Sequence, residues 1–375
     1  MLTLILKGTN GCNLDCAYCS LGEKTQVECV TEEKLYQILR YVCRVSAFRG
    51  EKQLHIILHG GEPTLILEQI YQNALRKVKT EFPEMEMEIS MQTNGFSISP
   101  GMLKFFKEFR VHVGVSVDGA EEIHDRQRRS RSGAATFQQV QKNIDLMLQE
   151  GIAVSCLMVL TSLGCRAPFD YLSFYEKRRL YLKINPLLAC GEAEKNPYLF
   201  LKPGEYAEYL IRLYEHIVEH DIDITVAPLD QFLHASVQRK SMSECTFRAR
   251  CNQNFLCVDP KGDIYPCGRF ADHHTFCLGN VETAEIDILN NPNIQKLLAR
   301  RDTNLPDACR KCRFAARCNA GCSAEADIER GMHCPPLLCE DYQRLFTYFE
   351  KEGLYFLRDR LQKKRSELWK EKNGL

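Results

Sequence analysis

Charge of either sign is not in excess in this chain, where 49 lysines and arginines stand against 49 aspartates and glutamates. The balance offers no basic footprint for nucleic acid and no acidic excess of the kind that keeps a chain disordered. No apolar run approaches the ~20 residues of a membrane-spanning helix. The N-terminus also lacks a charged stretch followed by an apolar core and a small-residue cleavage site, so no secretory signal is expected. These absences predict a soluble, cytoplasmic protein with no membrane and no nucleic-acid partner.

Cysteine, by contrast, is abundant, with 19 in 375 residues. Cytosolic thiols stay reduced, which makes metal binding a better explanation than a disulfide framework. Three cysteines sit together at Cys12–Cys19 and eleven crowd between Cys245 and Cys339. The others (Cys29, Cys43, Cys156, Cys165 and Cys190) are scattered and read as small buried hydrophobes.

The first group, Cys12-Asn13-Leu14-Asp15-Cys16-Ala17-Tyr18-Cys19, has C-x3-C-x2-C spacing and follows an apolar run, Leu2 to Leu6, that reads as a buried strand. Three thiolates in one loop can hold three irons of a cubane [4Fe–4S] cluster. With no fourth cysteine nearby, the remaining iron would be open to a small chelating ligand. Spacing alone leaves a zinc knuckle or plain buried thiols as alternatives.

Downstream, short strands alternate with helices. Strands are expected at Leu54–Leu58, Met87–Met91, Val111–Val117, Ile152–Leu160 and Tyr181–Ile184. Helical spacing appears at Leu35–Val42 (with Thr31 as N-cap), Ile66–Val78, Met102–Phe109 and Phe137–Leu148. Six alternations in about two hundred residues predict an α/β fold with a parallel sheet, in which ligands bind beyond the carboxyl ends of the strands. That rule gathers the cysteine loop, Gly60–Pro63, Gln92–Gly95, Ser116–Gly119 and Asn185 around one mouth. Pro203–Glu219 reads as a helix with a core-facing stripe. From Ser241 the chain turns cysteine- and loop-rich. The expected domains are therefore a barrel at 1–200, a helical linker at 201–240, a cysteine-rich domain at 241–345 and a C-terminal helix at 346–375, whose polar run Lys363–Lys372 is a solvated face.

Gly60-Gly61-Glu62-Pro63 combines glycines that let backbone approach a ligand with a carboxylate able to accept from an ammonium group. By itself it reads as a tight strand-to-helix turn. In order, C-N-L-D-C-A-Y-C, G-G-E-P-T, Q-T-N-G, S-V-D-G and I-N-P-L resemble the motifs of the radical S-adenosylmethionine (SAM) superfamily, whose fold is a partial (β/α)6 barrel. The resemblance implies that Cys12, Cys16 and Cys19 bind a [4Fe–4S] cluster and that SAM chelates its open iron. It further implies that Gly60, Gly61 and Glu62 hold the methionine amino group, that Ser116 and Asp118 serve the carboxylate and ribose, and that Tyr18 lies near the adenine. Val159 and Leu160 are candidate adenine-packing residues, read first as core.

The later cysteines resemble the SPASM domain, which carries two auxiliary [4Fe–4S] clusters. The resemblance assigns Cys245, Cys251, Cys267 and Cys322 to the first, and Cys309, Cys312, Cys318 and Cys339 to the second. Cys257, Cys277 and Cys334 are left over, and Cys334 rivals Cys339 as last ligand. Two zinc sites are the alternative. The whole pattern implies three clusters, reductive SAM cleavage to a 5′-deoxyadenosyl radical, a peptide or protein substrate, and an electron donor such as flavodoxin or ferredoxin. In the anaerobic sulfatase maturases of this family, which form formylglycine, an Asp catalytic base follows the cysteine of Y-P-C. Here Tyr265-Pro266-Cys267 is followed by Gly268. The residues therefore favour a maturase that installs a thioether or carbon–carbon cross-link in a ribosomal peptide, with the sulfatase maturase as alternative and a non-catalytic iron–sulfur or zinc scaffold behind both. The first strand begins at the N-terminus, so no leader-binding domain is expected ahead of the barrel. His55, His59, His112 and Asp272 fall near the predicted sites and read as structural or solvent-facing; no catalytic residue is named.

Overall fold

The computed structural model describes residues 1–21, 26–238, 242 and 244–362. Strand β1 (Leu2–Thr9) is buried along both faces, as befits a strand covered by helices on one side and a filled interior on the other. Helix α1 (Glu32–Phe48) starts where Thr31 Oγ1 accepts from Lys34 N at 3.2 Å, with Glu32 and Glu33 at the positive end of its dipole. Its apolar stripe, Leu35, Ile38, Leu39 and Val42, is fully buried. The pattern then repeats through β2 (Gln53–Gly60), α2 (Glu68–Glu81), β3 (Glu86–Thr93), α3 (Pro100–Glu108), β4 (His112–Ser116), α4 (Phe137–Gln149), β5 (Val154–Leu160), α5 (Leu172–Arg178) and β6 (Tyr181–Pro186). Helix α3 is capped by Ser99, whose hydroxyl accepts from Met102 N, and has Pro100 in its first turn.

Strands β1 to β6 pair in sequence order and all run parallel, as the alternation predicts. The sheet extends further than the sequence suggests. After α6 (Glu205–Glu219), β7 (Val226–Ala227), inside the stretch expected as a helical linker, adds in parallel beside β6. On the other side β8 (Phe255–Val258) pairs in parallel with β1, Thr3 opposite Phe255. Strands β9 (Asp263–Tyr265) and β10 (Gly279–Asn280) then follow antiparallel. The result is one open ten-stranded sheet in the order β10-β9-β8-β1-β2-β3-β4-β5-β6-β7, a partial barrel rather than a closed one. The cysteine-rich segment is thus stitched to the barrel by backbone hydrogen bonds. Helix α7 (Gly268–Asp272) leaves β9 just beyond Cys267, and α8 (Cys339–Tyr348) packs back against α6.

A π-helical turn, Phe349–Gly353, carries α8 on into a further helical stretch at 354–362. The polar run Lys363–Lys372 and the expected domain boundary at Ser241 lie outside the described residues. Among the described residues no helix is long and apolar enough to cross a membrane.

Candidate active site

A cavity of about 430 Å³ opens at the carboxyl ends of the parallel strands. One wall carries Cys12, Cys16 and Cys19 from the loop after β1. Another part of the lining carries Cys245, Cys251, Cys267 and Cys322. The two predicted cysteine sets, more than two hundred residues apart in sequence, therefore line one chamber.

The first loop is held by three devices. A short strand, Leu14–Cys16, pairs antiparallel with Arg128–Ser130. The backbone N–H of Leu14 donates to Cys12 Sγ at 3.4 Å, and Asn94 Nδ2 does so at 3.7 Å. Arg128 Nη1 reaches Cys16 Sγ at 3.9 Å while its Nε donates to Asp118 Oδ2 at 3.1 Å. Beneath the loop, Gly61 N donates to Thr9 O at 2.7 Å and Glu62 N to Gly11 O at 2.8 Å. A Cβ on Gly61 would lie 2.0 Å from Gly11 O, so this position must be glycine for the two loops to touch.

Of the residues expected to contact SAM, Tyr18, Gly60, Gly61 and Ser116 line the cavity. Glu62 and Asp118 do not; both are fully buried behind it. Glu62 Oε1 accepts from Thr64 N, Thr64 Oγ1 and Thr93 Oγ1 at 3.0, 2.7 and 2.6 Å, and Oε2 accepts from Asn94 N at 2.7 Å. Burial pushes its carboxyl up while these donors pull it down. Asp118 accepts from Tyr18 Oη, Gln127 and Arg128 on one oxygen and from Val159 N on the other. The two carboxylates brace the cavity wall from behind. Val159 lines the cavity, whereas Leu160 is core, with no exposed surface.

Sequence reasoning missed Arg128 and Lys7, which also line the cavity, whereas Thr93 belongs to the Gln92–Gly95 segment expected there. Arg128 lies outside every motif, and only its pairing with Cys16 across the two-stranded sheet reveals it. His59 and Asp272, expected as structural or solvent-facing, line the cavity too. His55 and His112 keep the structural role, bonding Ser90 Oγ and Ser155 Oγ at 2.9 and 2.8 Å.

The second auxiliary set converges separately. Cys309, Cys312, Cys318 and Cys339 line one small apolar cleft with Phe314, Tyr342 and Phe346, and Cys334 is not part of it. Phe314 N donates to Cys312 Sγ at 3.4 Å, repeating the Leu14–Cys12 arrangement. Burial pushes the Cys16, Cys245, Cys267 and Cys318 thiols up to about 12, so in the metal-free chain they are neutral and ligation must displace their protons. Among the described residues no three His, Cys, Asp or Glu side chains stand close enough to hold a single ion. The thiols ring cavities, which suits a cluster, whereas a zinc site gathers four ligands within ~2.3 Å of one ion. Cys190 also lines the large chamber, beside the three thiols of the first loop and the four of the later segment; those three and four, with the four thiols of the small cleft, fit the groups that the sequence implies.

Residues 6–164 match the Radical SAM superfamily, and residues 245–313 match SPASM, an iron–sulfur cluster-binding domain. A cysteine-type anaerobic sulfatase-maturating enzyme of Clostridium perfringens is 28% identical over 363 residues, covering 92% of this chain and 96% of its own length. Among solved structures, native anSMEcpe with bound AdoMet and Cp18Cys peptide superposes with a TM-score of 0.81 at 23% identity, over 96% of this chain and 99% of that one. Streptococcus suis SuiB bound to precursor peptide SuiA shares the fold at a TM-score of 0.66 and 14% identity, over 90% of this chain and 76% of that one.

Proposed function

The chain is a radical SAM enzyme with a C-terminal SPASM domain, and on that premise we propose that it oxidises a cysteine side chain of a peptide or protein substrate to formylglycine. The observation that carries this reading is end-to-end similarity to a cysteine-type sulfatase-maturating enzyme, over 92% of this chain and 96% of the relative. Gly268 after Cys267 argues for a cross-linking peptide maturase instead. That argument rests on one position, and similarity along the whole length outweighs it. SuiB supports only a shared fold.

In this reading Cys12, Cys16 and Cys19 hold the cluster whose open iron takes SAM. Cys245, Cys251, Cys267 and Cys322 hold one auxiliary cluster, and Cys309, Cys312, Cys318 and Cys339 another. When bound, SAM and its cluster supply a one-electron cleavage that yields a 5′-deoxyadenosyl acceptor for a hydrogen atom, chemistry that belongs to the cofactor. The protein's part is placement and exclusion of water. Gly60 and Gly61 would bring backbone up to the methionine end, and Ser116 and Tyr18, which line the same cavity, would serve the rest of SAM. Glu62 and Asp118 fix the segments that carry them. The chamber lined by both cysteine sets supports a substrate side chain held between the hydrogen acceptor and an electron exit. The electron donor would be a flavodoxin or ferredoxin.

The test is anaerobic incubation of the reconstituted protein with SAM, reductant and Cp18Cys peptide, followed by mass spectrometry. Formylglycine together with 5′-deoxyadenosine is expected. Loss of two hydrogens without formylglycine would restore the cross-linking reading.

A further inference from the structure

Among the described residues that line the chamber, Asp272 is the sole carboxylate. It stands one turn into α7, the helix that begins immediately after Cys267. Its Oδ1 pairs with the Lys7 ammonium from β1, and its Oδ2 accepts from Ser20 Oγ, next to Cys19, at 3.0 Å. Both side chains of the ion pair are more than nine-tenths buried. Asp272 therefore spans the seam between the wall that carries Cys12, Cys16 and Cys19 and the wall that carries Cys267. Gly268 sharpens the placement. A Cβ built there would meet Lys7 Cε at 3.6 Å, an ordinary contact, so position 268 lies beside the same lysine that Asp272 pairs with.

Other groups of the chamber are poorer proton acceptors. Lys7, Arg128 and Arg269 are cations. His59 Nδ1 already accepts from Gly60 N at 2.7 Å. His273 remains as a rival, its Nε2 buried and without a hydrogen-bond partner among the described residues.

We propose that Asp272 is the proton acceptor of the chamber, taking the sulfur-bound proton of the substrate cysteine as that side chain is oxidised. The inference rests on the formylglycine reading above. In the step, one Cβ–H bond of R–CH2–SH breaks and its hydrogen atom goes to the SAM-derived deoxyadenosyl group. One electron leaves to a one-electron acceptor of the iron–sulfur class. The S–H bond breaks, its proton passes to Asp272, and the C=S bond of the thioaldehyde R–CH=S forms. Water then gives R–CHO and hydrogen sulfide. Loss of the hydrogen atom and electron leaves positive charge on the C–S–H unit, so its proton is acidic enough for a carboxylate to accept. Lys7 and Ser20 fix the direction of that carboxylate.

The experiment compares wild type, Asp272→Asn, Lys7→Met/Asp272→Asn, Asp272→Glu and His273→Gln on Cp18Cys peptide deuterated at the target Cβ; the double variant removes the buried Lys7 ammonium that Asp272→Asn leaves unpaired. Iron content, peptide affinity, deuterium transfer into 5′-deoxyadenosine and formylglycine are each measured. Lys7→Met/Asp272→Asn should keep iron, affinity and deuterium transfer while formylglycine falls about 10²-fold or more, the span of a lost general base. Asp272→Glu should restore part of it. Wild-type formylglycine in either Asp272→Asn variant overturns the proposal, as does uncoupling in His273→Gln alone. Loss of iron or of deuterium transfer in both the double variant and Asp272→Glu makes the residue structural and overturns it too. If the wild type yields a cross-link, the formylglycine reading fails by itself. The same comparison of product loss against deuterium transfer then decides the role of Asp272 on that product.

Discussion

Glu62 and Asn94 are joined through a carboxylate that the sequence assigns to a ligand. Glu62 Oε2 accepts from Asn94 N at 2.7 Å, and Asn94 Nδ2 in turn donates to Cys12 Sγ. The GGEP carboxylate is thereby linked to the cysteine loop through the end of β3. Glu62→Gln leaves a buried amide –NH2 facing a backbone N–H, either at Asn94 or at Thr64, because one amide oxygen cannot serve both sides. An unsatisfied buried donor costs about 1–3 kcal/mol. The variant should melt lower and bind SAM more weakly, as read by thermal unfolding and a SAM isotherm. An unchanged melting temperature would remove the bracing role.

His124 gives the fold an acid-sensitive point away from the cysteines. Thr136 Oγ1 donates to Arg128 O, so it must accept from His124 Nε2–H, which leaves Nδ1 to accept from Asp118 N at 3.2 Å. A second ring proton would face that N–H. Burial accordingly holds His124 down from its ordinary value of about 6.5 to about 4. A histidine depressed in the folded state contributes stability that is complete above its unfolded pKa and lost as pH falls through the folded one. His124 should thus withdraw roughly 3 kcal/mol between pH ~6.5 and ~4. His59, held down to about 4 by burial and the Lys7 ammonium, acts in the same direction. Denaturant unfolding of wild type and His124→Gln across that range isolates the His124 share. The stability gap between them should narrow as pH falls, and a constant gap would refute the assignment.

The parts legible in the sequence were those with short-range signatures. Alternating apolar strands and capped helices gave the six parallel strands, because each element's burial pattern is local. The cysteines that the spacing groups together do share cavities, Cys12, Cys16 and Cys19 in one and Cys309, Cys312 and Cys318 in the other. Two things were not legible. Strand β8 pairs with β1 across some 250 residues, Thr3 with Phe255, and its four residues carry no sign of their partner. A carboxylate's direction is equally silent in sequence. Glu62 and Asp118 lie in motifs whose resemblance assigns them to SAM yet are fully buried, while Asp272, outside any motif, lines the chamber and pairs with Lys7.

Cys339 and Cys334 differ sharply in surroundings, and that difference is measurable. Cys339 shares its cleft with Cys309, Cys312 and Cys318, whereas Cys334 offers its carbonyl to Arg300 Nη2 at 2.9 Å and lines no part of that cleft. Three cubane clusters imply about twelve irons per chain. Anaerobically reconstituted Cys339→Ala should hold about eight and Cys334→Ala about twelve. The reverse order in an iron and sulfide assay would exchange the two ligands.

Among the described residues, Arg269 makes the shortest hydrogen bond to a sulfur of the chamber. Its Nη1 lies 3.2 Å from Cys322 Sγ and pairs with Glu325, whose other oxygen accepts from Tyr342 Oη at 3.4 Å. A charge-assisted N–H to a ligating thiolate favours the more negative, reduced cluster, and hydrogen bonds to sulfur are among the levers that set cluster potentials. Arg269→Met alone would strand the buried Glu325 carboxylate at a cost of about 3–5 kcal/mol, so the pair must be changed together. Arg269→Met/Glu325→Gln keeps the local charge sum and removes the donor. A redox titration followed by electron paramagnetic resonance should find one auxiliary centre shifted to lower potential, with the SAM-side centre unmoved. That selectivity matters, because misfolding would disturb all centres together, whereas a lost donor acts only on the cluster it touches. An unshifted auxiliary potential would reduce Arg269 to a structural counterion of Glu325.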